Sequence, residues 1–136
     1  MSEKKIKVKI ITHEKVVFDG EADEIYAKGM EGFFGILPDH IPFMSALAIG
    51  VTKIVNNNES SYFSTIGGVF QFMNNEAVIL SEDAENGKDI DVVLAKTEKE
   101  REEAKTVNTK VLKDIQEQDK ALAVAISRFK AASKEM

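Results

Sequence analysis

The chain has 136 residues, 43% hydrophobic and 30% charged, the balance of one soluble globular domain or two small ones. Eighteen Lys and Arg against 23 Asp and Glu leave a net charge of −5, which argues against nucleic acid as the main partner, because phosphate binding needs a positive face. The lack of cysteine excludes a disulfide scaffold, thiolate metal sites and a Cys nucleophile, and no stretch approaches the ~20 apolar residues of a membrane span.

The opening residues, Ser2-Glu3-Lys4-Lys5, lack the apolar core of a signal peptide and the Arg-rich pattern of a transit peptide. Ile6, Val8 and Ile10 then alternate with Lys7 and Lys9, which predicts a strand of period two. Further strands are expected at Val16–Phe18 (closed by Asp19-Gly20), Ile25–Ala27, Phe34–Leu37, Val51–Val55, Tyr62–Ile66, Val69–Met73 and Ala77–Leu80. Gly29, Gly32, Pro38-Asp39, Asn56-Asn57-Asn58, Gly67-Gly68 and Asn74-Asn75 separate them, and Asn and Gly tolerate the positive φ of tight reversals. Many short β-branched and aromatic runs at this spacing favour a sandwich or barrel.

The grammar then changes. All eight glycines and both prolines lie before residue 88, and of the aromatic residues only Phe129 lies beyond residue 73. Asp89 is the expected N-cap of a helix whose apolar stripe is Ile90, Val93, Leu94 and Thr97, with Asp91 near the positive end of its dipole. Lys105–Thr109 interrupts it with residues of lower helix propensity. A second stripe runs through Val111, Ile115, Gln118, Leu122, Ala125, Phe129 and Ala132 in steps of four and three. Two antiparallel helices are expected; one continuous helix is the alternative. The predicted class is α+β, with a β-sandwich domain over 1–84 and a helical hairpin over 85–136.

The run Phe18-Asp19-Gly20-Glu21-Ala22, followed by Gly29-Met30-Glu31-Gly32-Phe33-Phe34-Gly35-Ile36-Leu37-Pro38-Asp39-His40-Ile41-Pro42, resembles the epsilon subunit of F-type ATP synthases, whose members show "VF-x-GEA" and then "G-x-EG-x-FGILPGHAP". The resemblance continues at Ala46–Val51, Ile66–Phe70, Val78–Glu85 and Asp89–Lys96. It implies a ten-stranded β-sandwich followed by an antiparallel two-helix hairpin. It further implies a non-catalytic rotor subunit of a proton-translocating synthase, of the bacterial type whose mitochondrial counterpart is called delta. Such a subunit sits at the cytoplasmic face of the cell membrane, peripheral and not inserted, and links gamma to the c ring. A free-standing sandwich adaptor with a helical tail is the competing reading.

Within that resemblance, Glu31, Phe33, Asp39, His40, Ile41 and Pro42 are the expected contacts of a stiff loop that docks on the c ring; a plain structural corner is the other reading of the same residues. Residues 1–104 carry a net −8 and residues 105–136 a net +3, so the second helix is a positive arm on an acidic body. Lys110, Lys113, Lys120 and Arg128 are its expected contacts with the catalytic alpha and beta subunits, where the arm would brake ATP hydrolysis. Some bacterial members bind ATP through "I-D-x-x-R-A" and arginines of the second helix. Ile90, Asp91, Ala95 and Arg128 match, but Leu94 and Val124 stand where arginines are required, so weak or absent ATP binding is expected, with no other cofactor or metal. No phosphate-cradling glycine loop, Gly-x-Ser-x-Gly or His-x-x-x-His is present, and the neighbours His13-Glu14 and Asp39-His40 do not by adjacency make a catalytic site.

Overall fold

A computed structural model describes residues 4–108 and 115–136. Ten strands come first: β1 (Ile6–Ile11), β2 (Val16–Ala22), β3 (Glu24–Gly29), β4 (Gly32–Ile36), β5 (Phe43–Ala46), β6 (Gly50–Asn56), β7 (Glu59–Ile66), β8 (Val69–Met73), β9 (Glu76–Leu80) and β10 (Asp83–Asn86). A 3-10 turn over Gly87–Asp89 leads to α1 (Val92–Asn108) and α2 (Ile115–Ala132). The strands form two five-stranded sheets, β2-β1-β9-β8-β5 and β10-β7-β6-β3-β4, and only β1 and β9 pair in parallel.

Side-chain alternation drives the stacking. Ile6, Val8 and Ile10 point inward from β1 and are fully buried, while Lys7 and Lys9 point out. They meet Ile25, Ala27, Ile54 and Phe63 of the opposite sheet. Phe34, Phe43 and Phe70 fill the end of the core beside β4 and β5, with Phe34 and Phe70 edge to face at 5.0 Å. Two-residue turns with both central φ angles positive, Asn57-Asn58 and Asn74-Asn75, close the β6–β7 and β8–β9 hairpins as anticipated. Gly67-Gly68 carries the chain from one sheet to the other; a Cβ at Gly68 would lie 1.8 Å from the Leu80 carbonyl oxygen.

Several sequence expectations are corrected. Asp19-Gly20 is not a turn: β2 runs through it, with Gly20 opposite Val8, and the chain reverses only at Asp23. Gly20 allows the Phe18 ring to lie across its backbone, 2.9 Å from a would-be Cβ. The residue reading gave no strand at β5 or β10, which are short and pair along sheet edges. Asp91, not Asp89, caps α1, accepting from the Val93 and Leu94 N–H groups at 2.9 and 3.1 Å. α1 also continues through Lys105–Asn108, where a break was expected.

The helices are antiparallel, with Glu98 meeting Arg128 and Lys99 meeting Phe129. α2 lies against β6, β7 and the 3-10 turn, and α1 lies on α2. Ala125, Ser127 and Ala131 are buried, and Leu122, Phe129 and Ala132 half-buried, so this part of the predicted stripe faces inward. Val111 lies outside the described residues. The stripe of α1 is overturned: Ile90 and Ala95 are buried, whereas Val93 is 73% exposed and Leu94 and Thr97 are exposed too.

Candidate functional site

The segment Gly29–Phe43, read from sequence as one docking loop, is three elements. Met30 and Glu31 form the tip of the β3–β4 hairpin, β4 follows, and the loop proper is Leu37–Pro42. Glu31 and His40 therefore sit at opposite ends of β4, roughly 15 Å apart at the rise of a strand. Glu31 is exposed at its tip. Phe33 points outward, with Lys28 Nζ 5.9 Å from its ring centre, and lines a small cavity with Gly50, Ile126, Lys130 and Met136 at the seam with α2. It thus stands apart from Asp39, His40, Ile41 and Pro42, which the structure does bring together.

The Leu37–Pro42 loop is pinned at several points. Pro38 and Asp39 occupy the centre of a turn closed by the His40 N–H donating to the Leu37 carbonyl at 3.2 Å, and Asp39 has φ +67°. Positive φ after proline is the type II pattern, usually met by glycine or asparagine. The Asp39 N–H donates to Asn75 Oδ1 (2.6 Å), and Asn75 Nδ2 donates back to Asp39 Oδ1 (3.0 Å). Lys4 Nζ donates to Asp39 Oδ2 at 3.0 Å. The Asn75 bond first, and then Lys4, hold the Asp39 carboxyl below the usual carboxylate range. The His40 ring lies edge-on to Phe43 and Phe72, 5.9 Å from each, and its Nδ1 is 2.7 Å from the Ile41 carbonyl oxygen, so Nδ1 carries the proton. Ile41, 74% exposed, forms with Leu37 and Pro42 an apolar ridge.

An apolar band crosses the same sheet, its main row at the end of β8 and β9 opposite the Asn74-Asn75 turn. The strand register aligns Ala46, Val69, Leu80, Ile11 and Val16 in one row across all five strands of the β2-β1-β9-β8-β5 sheet, a width of about 19 Å at normal strand spacing. All five face outward; Ile11 is half-buried and the others are exposed. Met44 and Val78 extend the band in the adjacent row, and Met73 sits beyond. A continuous apolar row on a solvent face exceeds the scattered apolar residues of an ordinary surface.

The third feature is the seat of α2. The Ser127 hydroxyl donates to the Gly50 carbonyl (2.7 Å), so the bond to Ser64 Oγ (2.7 Å) must run from Ser64 to Ser127. Arg128 donates through Nε and Nη2 to Glu85 of β10 (2.8 and 3.3 Å) and through Nη1 to Glu98 of α1 (2.5 Å). Burial alone would lower the Arg128 pKa, but the bond and charge of Glu85, together with Glu98, outweigh it and hold the group above its ordinary value. Lys120 faces Glu82 at 3.8 Å. Gly87 lies beneath the end of α2, where a Cβ would come 2.2 Å from the Ala131 carbonyl oxygen. Of the nucleotide-motif residues, Ile90 and Ala95 are buried, Asp91 is the helix cap and Arg128 is ion-paired to two carboxylates. Lys110 and Lys113 lie outside the described residues.

The family model described as "ATP synthase, Delta/Epsilon chain, beta-sandwich domain" matches residues 5–87. The chain belongs to the ATP synthase delta/epsilon family. Its relatives include the ATP synthase epsilon chain of Nitratidesulfovibrio vulgaris, 36% identical over 128 residues, covering 94% of this chain and 96% of that one. The sodium ion specific epsilon chain of Propionigenium modestum is 34% identical, with 96% and 95% covered. Among solved structures, one chain of the Euglena gracilis mitochondrial ATP synthase, in a structure of OSCP, F1 and c-ring, superposes with a TM-score of 0.77 at 16% identity, covering 96% of this chain and 80% of that chain.

The delta/epsilon match ends at Gly87, the residue on which α2 rests, so α1 and α2 lie beyond it and are reached by the whole-chain relatives. Ser64, Ser127, Glu85, Glu98 and Asn75 were absent from the sequence reading of the sites. Their partners are 30 to 77 residues away along the chain, and no local periodicity marks such pairs.

Proposed function

We propose that this delta/epsilon chain is a non-catalytic rotor subunit of an F-type ATP synthase, linking gamma to the c ring. It would have no active site of its own. The apolar row Ala46-Val69-Leu80-Ile11-Val16 carries the reading. A long-lived subunit contact needs a broad, dry, flat surface, and this row with Met44 and Val78 supplies one for gamma. The ridge Leu37-Ile41-Pro42, expected from sequence to meet the c ring, is assigned here to gamma as a second contact at the Asn75 end of the same sheet, with Asp39 and His40 as its frame. The narrow tip at Met30-Glu31, at the other end of β4, suits a contact with the c ring, and Phe33 beside α2 belongs to neither. The chain would be peripheral at the cytoplasmic face of a bacterial cell membrane; no helix among the described residues is long and apolar enough to cross it.

The test is a pull-down with the gamma subunit. The wild-type chain is expected to bind at one to one, and Leu80→Lys or Val69→Lys, both on the outer face, to abolish capture while the fold survives. Capture of both variants at wild-type yield would sink the assignment of this face.

The helical hairpin is read as a brake on ATP hydrolysis that leaves its seat to insert along gamma, against acidic surfaces of the catalytic subunits. Lys120 and Arg128 support this reading, because their present partners are carboxylates of the chain's own body. A chain ending at Asp89, which keeps β10 intact, should raise hydrolysis by the reconstituted complex; equal rates would discard the brake. ATP binding by the folded hairpin is expected to be weak, with Arg128 committed to Glu85 and Glu98 and no cation at Leu94. Micromolar affinity in a titration would overturn that expectation.

A further inference from the structure

We propose that Asp39 is a positioning residue that presets the Leu37–Pro42 ridge for docking, by tying it through Asn75 to the β8–β9 turn and through Lys4 to the start of β1; this rests on the gamma-docking reading above. Asp39 has φ +67° at the third position of the turn, where a glycine would adopt the conformation with less strain. A glycine there would keep the His40-to-Leu37 bond at 3.2 Å and the backbone N–H bond to Asn75 Oδ1 at 2.6 Å, but would lose both bonds made by the carboxylate. The aspartate supplies a carboxylate, and both its oxygens are used: Oδ1 by Asn75 and Oδ2 by Lys4.

Asn75 is a suitable anchor. It occupies the second position of its own two-residue turn, with φ +59°, and its carbonyl accepts the Lys7 N–H of β1 at 2.9 Å. Its amide then closes a two-bond ring with Asp39, one bond to the backbone N–H and one from Nδ2 to the carboxylate. Only one orientation of the amide satisfies both bonds. The loop is thereby attached to a hairpin of the same sheet that carries the apolar row. The ridge is fixed relative to that sheet, and docking need not first order its exposed residues, Leu37, Asp39, Ile41 and Pro42.

A contact role for the Asp39 charge is a different claim, and substitutions separate the two. Asp39→Gly keeps the positive φ and the backbone N–H bond to Asn75, and removes both carboxylate bonds. Asn75→Gly keeps its own φ and removes both bonds between Asn75 and Asp39, leaving the Lys4 pair in place. Asp39→Asn keeps an oxygen able to accept from Asn75 and loses the charge. The measurements are affinity for the isolated gamma subunit, hydrogen exchange of the amides from Asp39 to Ile41, and the unfolding midpoint of the free chain. Both glycine variants should weaken gamma binding about ten-fold, as expected if the docking-ready loop falls to about a tenth of the population, with faster loop exchange. Asp39→Asn should restore binding to within about two-fold of wild type. Unchanged affinity in Asn75→Gly would overturn the proposal, and so would an Asp39→Asn loss as large as that of Asp39→Gly. Failure of the wild-type chain to bind gamma at all would instead remove the docking reading on which it rests.

Discussion

The sandwich and the hairpin are held by apolar cores of very different size. Between the sheets lie Phe63, Phe70, Phe72 and buried Ile and Val side chains, and no charge enters that core. Burial of this kind is worth roughly 1.5–3 kcal/mol per large side chain and is hard to replace once lost. Beneath the hairpin lies a smaller apolar cluster of Val51, Ile90, Ala95 and Ala131, flanked by Tyr62 and Phe129, and the residues of α2 itself that are buried are small: Ala125, Ser127 and Ala131. The hydroxyls of Ser64 and Ser127 and the Arg128 guanidinium add polar ties to it. Polar ties of that type contribute about 1 kcal/mol each, because water or another carboxylate can replace them. The body thus rests on large buried side chains and the arm on a smaller cluster with replaceable polar ties, as the proposed release of the arm requires.

The sharpest way to break the comparison is Phe70→Ala. Removing this fully buried ring should cost about 3–5 kcal/mol in urea unfolding. The same loss is expected in a chain cut after Asp89, if the hairpin adds little to the body; a much smaller loss in the shorter chain would show that the two regions share their stability.

Gly87→Val should act on the arm alone. The new side chain meets the Ala131 carbonyl and should lift the end of α2 at a cost of about 1–3 kcal/mol, seen as faster hydrogen exchange in α2 with the strands unchanged. Equal protection in both regions would contradict the tight approach. Arg128→Ala should loosen the arm by about 1 kcal/mol, less so as salt is added, because the wild-type pairs are themselves partly screened. Glu98→Gln sharpens that result: it should free α1 from α2 while Glu85 still holds Arg128 to the sandwich.

The smallest effect is acid release of the docking loop. Asp39 has a folded pKa below its unfolded value, so its contribution is present above the unfolded pKa and is lost as pH falls through the folded one. Loop amides should therefore exchange faster below about pH 4, after correction for intrinsic rates, with the sandwich still folded. Asp39→Gly should show no such added acid response at the loop.

The sequence made the body legible where apolar residues alternate, as at Ile6, Val8 and Ile10, and where asparagine pairs mark hairpins. It was silent on β10, because Asp83-Ala84-Glu85-Asn86 has no apolar period and becomes a strand only by pairing with β7. α1 misled for the opposite reason. Val93 and Leu94 look like a core face, yet the partner of α1 is a helix that meets it through Ala95, Glu98 and Lys99. The docking segment was legible as an unusual stretch, but its division by β4 was not. The strand expected at Phe34–Leu37 starts two residues earlier and ends one residue earlier, at Gly32–Ile36, which brings Phe33 into the strand and leaves Leu37 in the loop. The ties through Asn75 and Ser127 join residues far apart in sequence, which no reading of local pattern recovers.

The parallel pairing of β1 with β9 carries a consequence for synthesis. β1 occupies an interior place in its sheet, between β2 and a strand nearly seventy positions later, Glu76–Leu80. On the ribosome, its second neighbour cannot arrive until almost the entire platform has emerged, and such distant pairings form slowly. The helices are translated last. By then Gly50, Ser64 and Gly87 have been made, so the tail meets a surface already built rather than helping to build it.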